Sequence, residues 1–225
     1  MEEPQRSVRK FIMDFFVEHA FAPSVAEIGP ALKLSGSETG EALLKLDRAH
    51  HLKLLEGTFR ILMAFPFSAI STPYRVERSN GQRYFANCAW DAIAFHPMLN
   101  EPIRVDSFCD ACSKRLAFRV EEGRGGPTRS ELPRVRLGLP AADWWKNITL
   151  TCANTMVFLG AEEFAVSRDR EGPTSDPGVL TIDQMVQLSI PIYGKKLNAE
   201  YERPAVDEIR ANFERLGLSS SYWRI

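Results

Sequence analysis

Near the start of the chain, Val8, Phe11, Ile12, Phe15, Phe16 and Ala20 recur at the three-to-four-residue period of one broad helical face. Ala22-Pro23 breaks that run. Ser24 then stands three positions before Glu27, and Ser35 three before Glu38. Each pair reads as a capping box opening a helix. The first of these helices runs toward Leu32 and is stopped by Leu34-Ser35-Gly36. The second runs to about Ala49, with Ala42, Leu43, Leu46 and Ala49 facing inward. Segments 52–55 and 58–62 flank Glu56-Gly57 and predict a hairpin. Helices, a turn and a small hairpin make a winged-helix-like module over residues 1–62.

From there the pattern changes period. Residues 63–74 are apolar and carry two prolines, which predicts an extended, turn-rich linker. Segments 74–77 and 82–85 enclose Ser79-Asn80-Gly81, a strong hairpin signal. Residues 88–95 read as a short helix ended by His96-Pro97. Strands are expected over 101–108, 116–120, 135–137, 148–150 and 155–159, with a turn at 109–112. Polar loops are expected over 121–130 and 169–178. Residues 140–145 predict one helical turn anchored by Trp144 and Trp145. Thr181 can cap a helix running to about Ile190. Pro204 starts a last helix with Val206, Ile209, Phe213 and Leu216 on one face, stopped by Gly217. Tyr222 and Trp223 predict a docked C-terminus. The fold class is therefore α+β: a winged-helix-like N-terminal module, then a mixed or antiparallel sheet core with flanking helices over 63–225.

Charge narrows the partners. A net charge of −1 over 225 residues gives no general footprint for nucleic acid. The longer helix of the helix-turn-helix pattern opens on Ser37, Glu38, Thr39 and Glu41, where a DNA reader would present Arg, Lys, Asn or Gln. The module thus reads as structural or dimerising. No apolar run reaches bilayer length, and the first residues lack a signal peptide's apolar segment. A cytoplasmic chain with no membrane partner is expected.

The four cysteines, Cys88, Cys109, Cys112 and Cys152, all fall within 88–152. In a reducing compartment they are thiols. Three groupings compete with the plain reading of cysteine as a small buried hydrophobe. Cys109 and Cys112 form a CxxC, but between two strands, without the helix start that lowers the first thiol's pKa. All four together would make a zinc site, with Cys88 and Cys152 as a widely split second pair. The third grouping starts from Cys88 and Asp91, which share a helical face. With Cys152 as second thiolate they would grip a soft metal such as mercury, beside a carboxyl able to move a proton. Phe85, Trp90 and Phe95 predict partial burial of Asp91 and a raised pKa.

The stretch NCAWDAIAF, followed by a strand and SFC, resembles the organomercurial lyase (alkylmercury lyase) family. That family carries Cys-x-x-Asp after a short hairpin, and a second essential cysteine far downstream, before an apolar segment ending in Phe. Cys88, Asp91 and Cys152 match those positions, with Phe158 closing the later segment. PFSAISTPYRV, SSSYWRI and the N-terminal module resemble wider members. The resemblance implies protonolytic cleavage of a carbon–mercury bond in a small organomercurial. Cys88 and Cys152 would bind mercury, and Asp91 would transfer the proton. It implies no organic cofactor. External low-molecular-weight thiols or a mercuric reductase would take the product ion. Cys109 matches a further, structural family cysteine, whereas Cys112 departs from the pattern and leaves open a secondary thiol pair. The alternative is a non-enzymatic thiol-based metal-binding or sensing protein, with the winged-helix module as a regulator.

Overall fold

The computed structural model describes residues 1–121, 124–125, 133–160 and 178–225. It opens with helices α1 (Gln5–His19), α2 (Val25–Leu32) and α3 (Gly36–Arg48). Both expected capping boxes form. The Ser24 N–H donates to Glu27 Oε2 at 2.7 Å and the Ser35 N–H to Glu38 Oε2 at 2.8 Å. Val8, Ile12, Met13 and Phe16 bury against Ile28, Ala42, Leu43 and Leu46. Phe11 and Phe15 are only half-buried, and Ala49 is exposed rather than inward. The periodic pattern also hid a buried charge: Arg9 lies among the apolar residues of α1.

Strands β1 (Lys53–Leu54), β2 (Ile61–Ala64) and β3 (Phe67–Ser68) form an antiparallel sheet, with the cis Phe65-Pro66 bond turning β2 into β3. The expected linker thus contains a strand. A five-stranded antiparallel sheet follows, in the order β5-β4-β6-β7-β8. Its members are β4 (Arg75–Arg78), β5 (Arg83–Phe85), β6 (Ile103–Phe108), β7 (Arg115–Glu121) and β8 (Arg124–Gly125). In β7, Leu116, Phe118 and Val120 are buried while the residues between them are exposed, the period-two pattern of a sheet with one wet face. A third sheet sets β9 (Arg134–Leu137) between β10 (Thr155–Phe158) and β11 (Val179–Thr181). The polar loops expected over 121–130 and 169–178 fall mostly outside the described residues.

Helix α4 (Ala89–Leu99) is buried nearly all round, through Ala92, Ile93, Ala94, Phe95 and Met98. It packs on α6 (Ile182–Tyr193) and against the central sheet. Its end corrects an expectation. The helix runs through Pro97 and stops at Asn100, in the left-handed region at φ 52°. A proline so near the end removes one N–H from the ladder, and Asn tolerates the left-handed stop. Helix α6 likewise passes Pro191 to end at Tyr193.

Residues 148–150 are not a strand. They open the short helix α5 (Ile148–Ala153), which carries Cys152. Asn147 caps it, its Oδ1 accepting the Leu150 N–H at 3.1 Å. That cap outweighs the β-leaning Ile-Thr pair. The last helix, α7 (Val206–Arg215), buries Phe213 but leaves Val206 half exposed. Trp223 docks against Phe213 and Trp144, so the C-terminus is packed as expected. The architecture is α+β: N-terminal helices, then antiparallel sheets with flanking helices.

Candidate active site

Cys88 is the N-cap of α4, in extended backbone, and its Sγ accepts the Asp91 N–H at 3.5 Å. Asp91 is the third residue of that helix, so its carboxylate turns back toward the cap. The Cys88 Sγ lies 3.5 Å from Asp91 Oδ2, in donating geometry. From α5, the Cys152 Sγ reaches the same oxygen at 3.9 Å. The two sulfurs and a carboxylate oxygen all lie within 4.8 Å of one another. Among the described residues this is the only group of three such side chains close enough to hold one ion. It is also nearly closed to solvent: Cys88 is 3% exposed, Asp91 2% and Cys152 7%.

Two further residues complete the carboxylate's surroundings. The Tyr193 hydroxyl donates to Asp91 Oδ1 at 2.8 Å. Asn87 Nδ2 donates to Asp91 Oδ2 at 3.1 Å and also to the carbonyls of Pro66 and Phe67. Asn87 thereby ties the site to the cis-proline turn. Asn87 opens the family-like NCAWDAIAF stretch without a role attached to it, and no sequence pattern marks Tyr193. Tyr193 lies at the far end of a helix expected to stop near Ile190, 102 positions from its partner.

Burial sets the proton affinities. It raises the Asp91 carboxyl above its ordinary value near 3.8, against the pull of the Tyr193 and Asn87 hydrogen bonds, the Lys196 charge and the Cys88 contact. Burial also pushes the Cys88 thiol well up, reinforced by the Cys152 thiol and the Asp91 charge. Such a site resists becoming doubly negative when empty. The Cys88 sulfur and the Asp91 carboxylate lie close enough to exchange a proton.

The other two thiols stand apart. Cys109 is buried, with its Sγ accepting the Leu159 N–H at 3.4 Å, whereas Cys112 is exposed on the turn. Between them Asp110 does structural work. Its Oδ2 accepts the Val157 N–H at 2.8 Å, pinning the strand that follows Cys152. All four cysteines are free. Trp90, next to Asp91, is a packing residue: its Nε1 donates to Ser189 Oγ at 2.8 Å and its ring meets Trp144 edge-on. Phe158 is buried in β10.

A family model described as alkylmercury lyase (MerB) matches residues 67–194. That span holds both site cysteines, Asp91, Asn87 and Tyr193. The fold is similar to a crystal structure of the mercury-bound form of MerB2, with a TM-score of 0.65 and 15% identity, over 88% of this chain and 91% of that one. No curated protein sequence matches the chain. Among the described residues, no helix is long and apolar enough to cross a membrane.

Proposed function

The chain belongs to the alkylmercury lyase family, and on that premise we propose that it cleaves carbon–mercury bonds by protonolysis at Cys88, Asp91 and Cys152. The observation that carries this reading is the convergence of two buried sulfurs and one carboxylate within 4.8 Å. Thiolates are the soft donors that mercury prefers over nitrogen and oxygen.

The step balances as follows. The Cys88 sulfur attacks the mercury of R–Hg–X while Asp91 accepts the thiol proton. Cys152 adds the second sulfur; its proton and X leave together as HX. Two sulfur donors on mercury weaken the remaining bond to carbon. Asp91 then gives its proton to that carbon, which keeps the electron pair of the broken bond. R–H departs, and the mercuric ion stays between the two sulfurs. A raised carboxyl pKa suits this exchange, since a strong acid would not take the proton from a thiol. Small external thiols, or a mercuric reductase, would then remove the ion by thiolate exchange. A reducing cytoplasm, which keeps all four cysteines free, is the compartment this chemistry needs.

The test supplies phenylmercury or methylmercury salts with excess thiol and follows hydrocarbon and mercuric ion. Wild type should release both, and Cys152→Ala should retain the organomercurial uncleaved. Tight mercuric binding without hydrocarbon release would identify a binding or sensing protein instead.

A further inference from the structure

The chemistry above leaves a buried lysine close to the cluster unused. Lys196 is 4% exposed. Its Nζ sits 4.9 Å from the centre of the Tyr193 ring, and 5.6 Å from those of Phe65 and Tyr201. Among the described residues it has neither a hydrogen-bond acceptor nor an ion-pair partner. A lysine in apolar surroundings ordinarily reaches water or a carboxylate. This one is held in an aromatic cage.

The fold builds that placement deliberately. The Lys196 N–H donates to the Tyr193 carbonyl at 2.9 Å, closing the turn that follows α6. From the other side, Arg9 Nη1 donates to the Lys196 carbonyl at 2.8 Å. The Arg9 Nη2 bonds the Asn198 and Ala199 carbonyls. The cage also meets the reactive cluster through one residue: the Tyr193 ring lies under the ammonium, and its hydroxyl holds Asp91.

We propose that Lys196 is a positioning residue of the thiol–carboxylate cluster, its caged ammonium balancing the negative charge that Cys88, Asp91 and Cys152 develop during the reaction. The inference rests on the lyase reading for its chemistry. Three groups bear on this lysine: Asp91 favours its charge, while Arg203 and Arg9 oppose it. Burial, the largest influence, brings its pKa down to about 7. His51 lies in the same field and is pushed down to about 3, chiefly by its own burial, so it stays neutral. Asp91 is thus the one acid among these groups, and the ammonium, when protonated, acts through it. The cation–π contacts replace part of the ammonium's lost hydration without neutralising it. A counter-ion such as a carboxylate would have cancelled the field at Asp91.

The test compares Lys196→Met with Lys196→Arg in the full-length protein. Lys196→Met should lower kcat about 10- to 100-fold with KM within about threefold. Lys196→Arg, which keeps the charge, should stay within about fivefold of wild type in kcat. Lys196→Gln serves as the neutral variant if Lys196→Met does not fold. A second readout needs no mercury: iodoacetamide alkylation of Cys88 and Cys152, followed by peptide mass mapping. It should slow about tenfold in the neutral variants, because alkylation requires the thiolate. Equal losses in Lys196→Met and Lys196→Arg would assign the residue to packing and overturn the proposal, as would unchanged alkylation in the neutral variants. An inactive wild type would overturn the lyase reading, and Lys196 would still be judged by alkylation.

Discussion

Two helix starts in this protein use the same spacing to opposite ends. At α3, Ser35 is the N-cap and Glu38 the third helical residue; at α4, Cys88 is the N-cap and Asp91 the third. Both caps accept the backbone N–H of the acid, at 3.2 Å in the first and 3.5 Å in the second. Both acids reach back to the cap's side chain. The first box is exposed, and its serine hydrogen bonds hold the Glu38 carboxyl below its ordinary value near 4.5. The second is buried, and desolvation holds Asp91 above its ordinary value. One cap-to-acid spacing therefore stabilises a helix in water and sets a thiol against a carboxyl in the core. Burial and the sulfur atom make much of the difference; the cap backbones also differ, at φ −66° for Ser35 and −155° for Cys88, and Glu38 accepts the Ser35 N–H.

Replacing the sulfur should break the comparison most severely. Cys88→Ser gives the second helix start the hydroxyl cap of the first. The helix start should survive, with Tm within a few degrees, while organomercurial turnover falls below detection, because a hydroxyl is a poor mercury ligand. Steady-state hydrocarbon release and thermal unfolding measure the two halves.

Asp91→Asn should cost about 10²–10⁴-fold in kcat, the usual worth of a proton-transfer group. It should also raise stability at neutral pH. A carboxyl raised by folding contributes stability below its ordinary value, near 3.8, and loses it as pH rises through the folded value. Wild type therefore carries a penalty at pH 7 that the neutral amide lacks. The Tm advantage of Asp91→Asn should shrink as pH falls toward 3.8. An advantage that stayed constant with pH would refute the raised carboxyl.

The smallest effect belongs to the exposed box. Ser35→Ala should cost about 1 kcal/mol in chemical denaturation and leave turnover unchanged. The sign of its pH dependence opposes that of Asp91. Glu38 is depressed, so its contribution is present above about 4.5 and is lost as pH falls through the folded value.

Cys88 and Asp91 were legible together because an i, i+3 relation is local and a helix start fixes it. Cys152 was identified by family resemblance, and its element was misread. Ile148-Thr149-Leu150 looks β-like, and the cap that decides otherwise is one Asn147 side chain. Pro97 misled in the same way, since a breaker's effect depends on how much helix remains beyond it. Tyr193 and Lys196 had no sequence signal at all. Their meaning depends on long-range packing, and nothing near residue 193 records that a carboxylate from residue 91 will lie within reach.

The Arg9 clamp has a consequence for the order of events during synthesis. Helix α1 is made well before the segment that receives it, and its Arg9 ends 3% exposed. The three carbonyls that receive it belong to Lys196, Asn198 and Ala199, nearly two hundred positions later. Until those residues emerge, burying Arg9 would strand an uncompensated charge. Stable burial of this helix therefore depends on a segment made nearly two hundred residues after it. The segment that completes it is the turn that presents the caged lysine, so closure of the N-terminal helix and assembly of the reactive cluster fall at the same late moment in the life of the nascent chain.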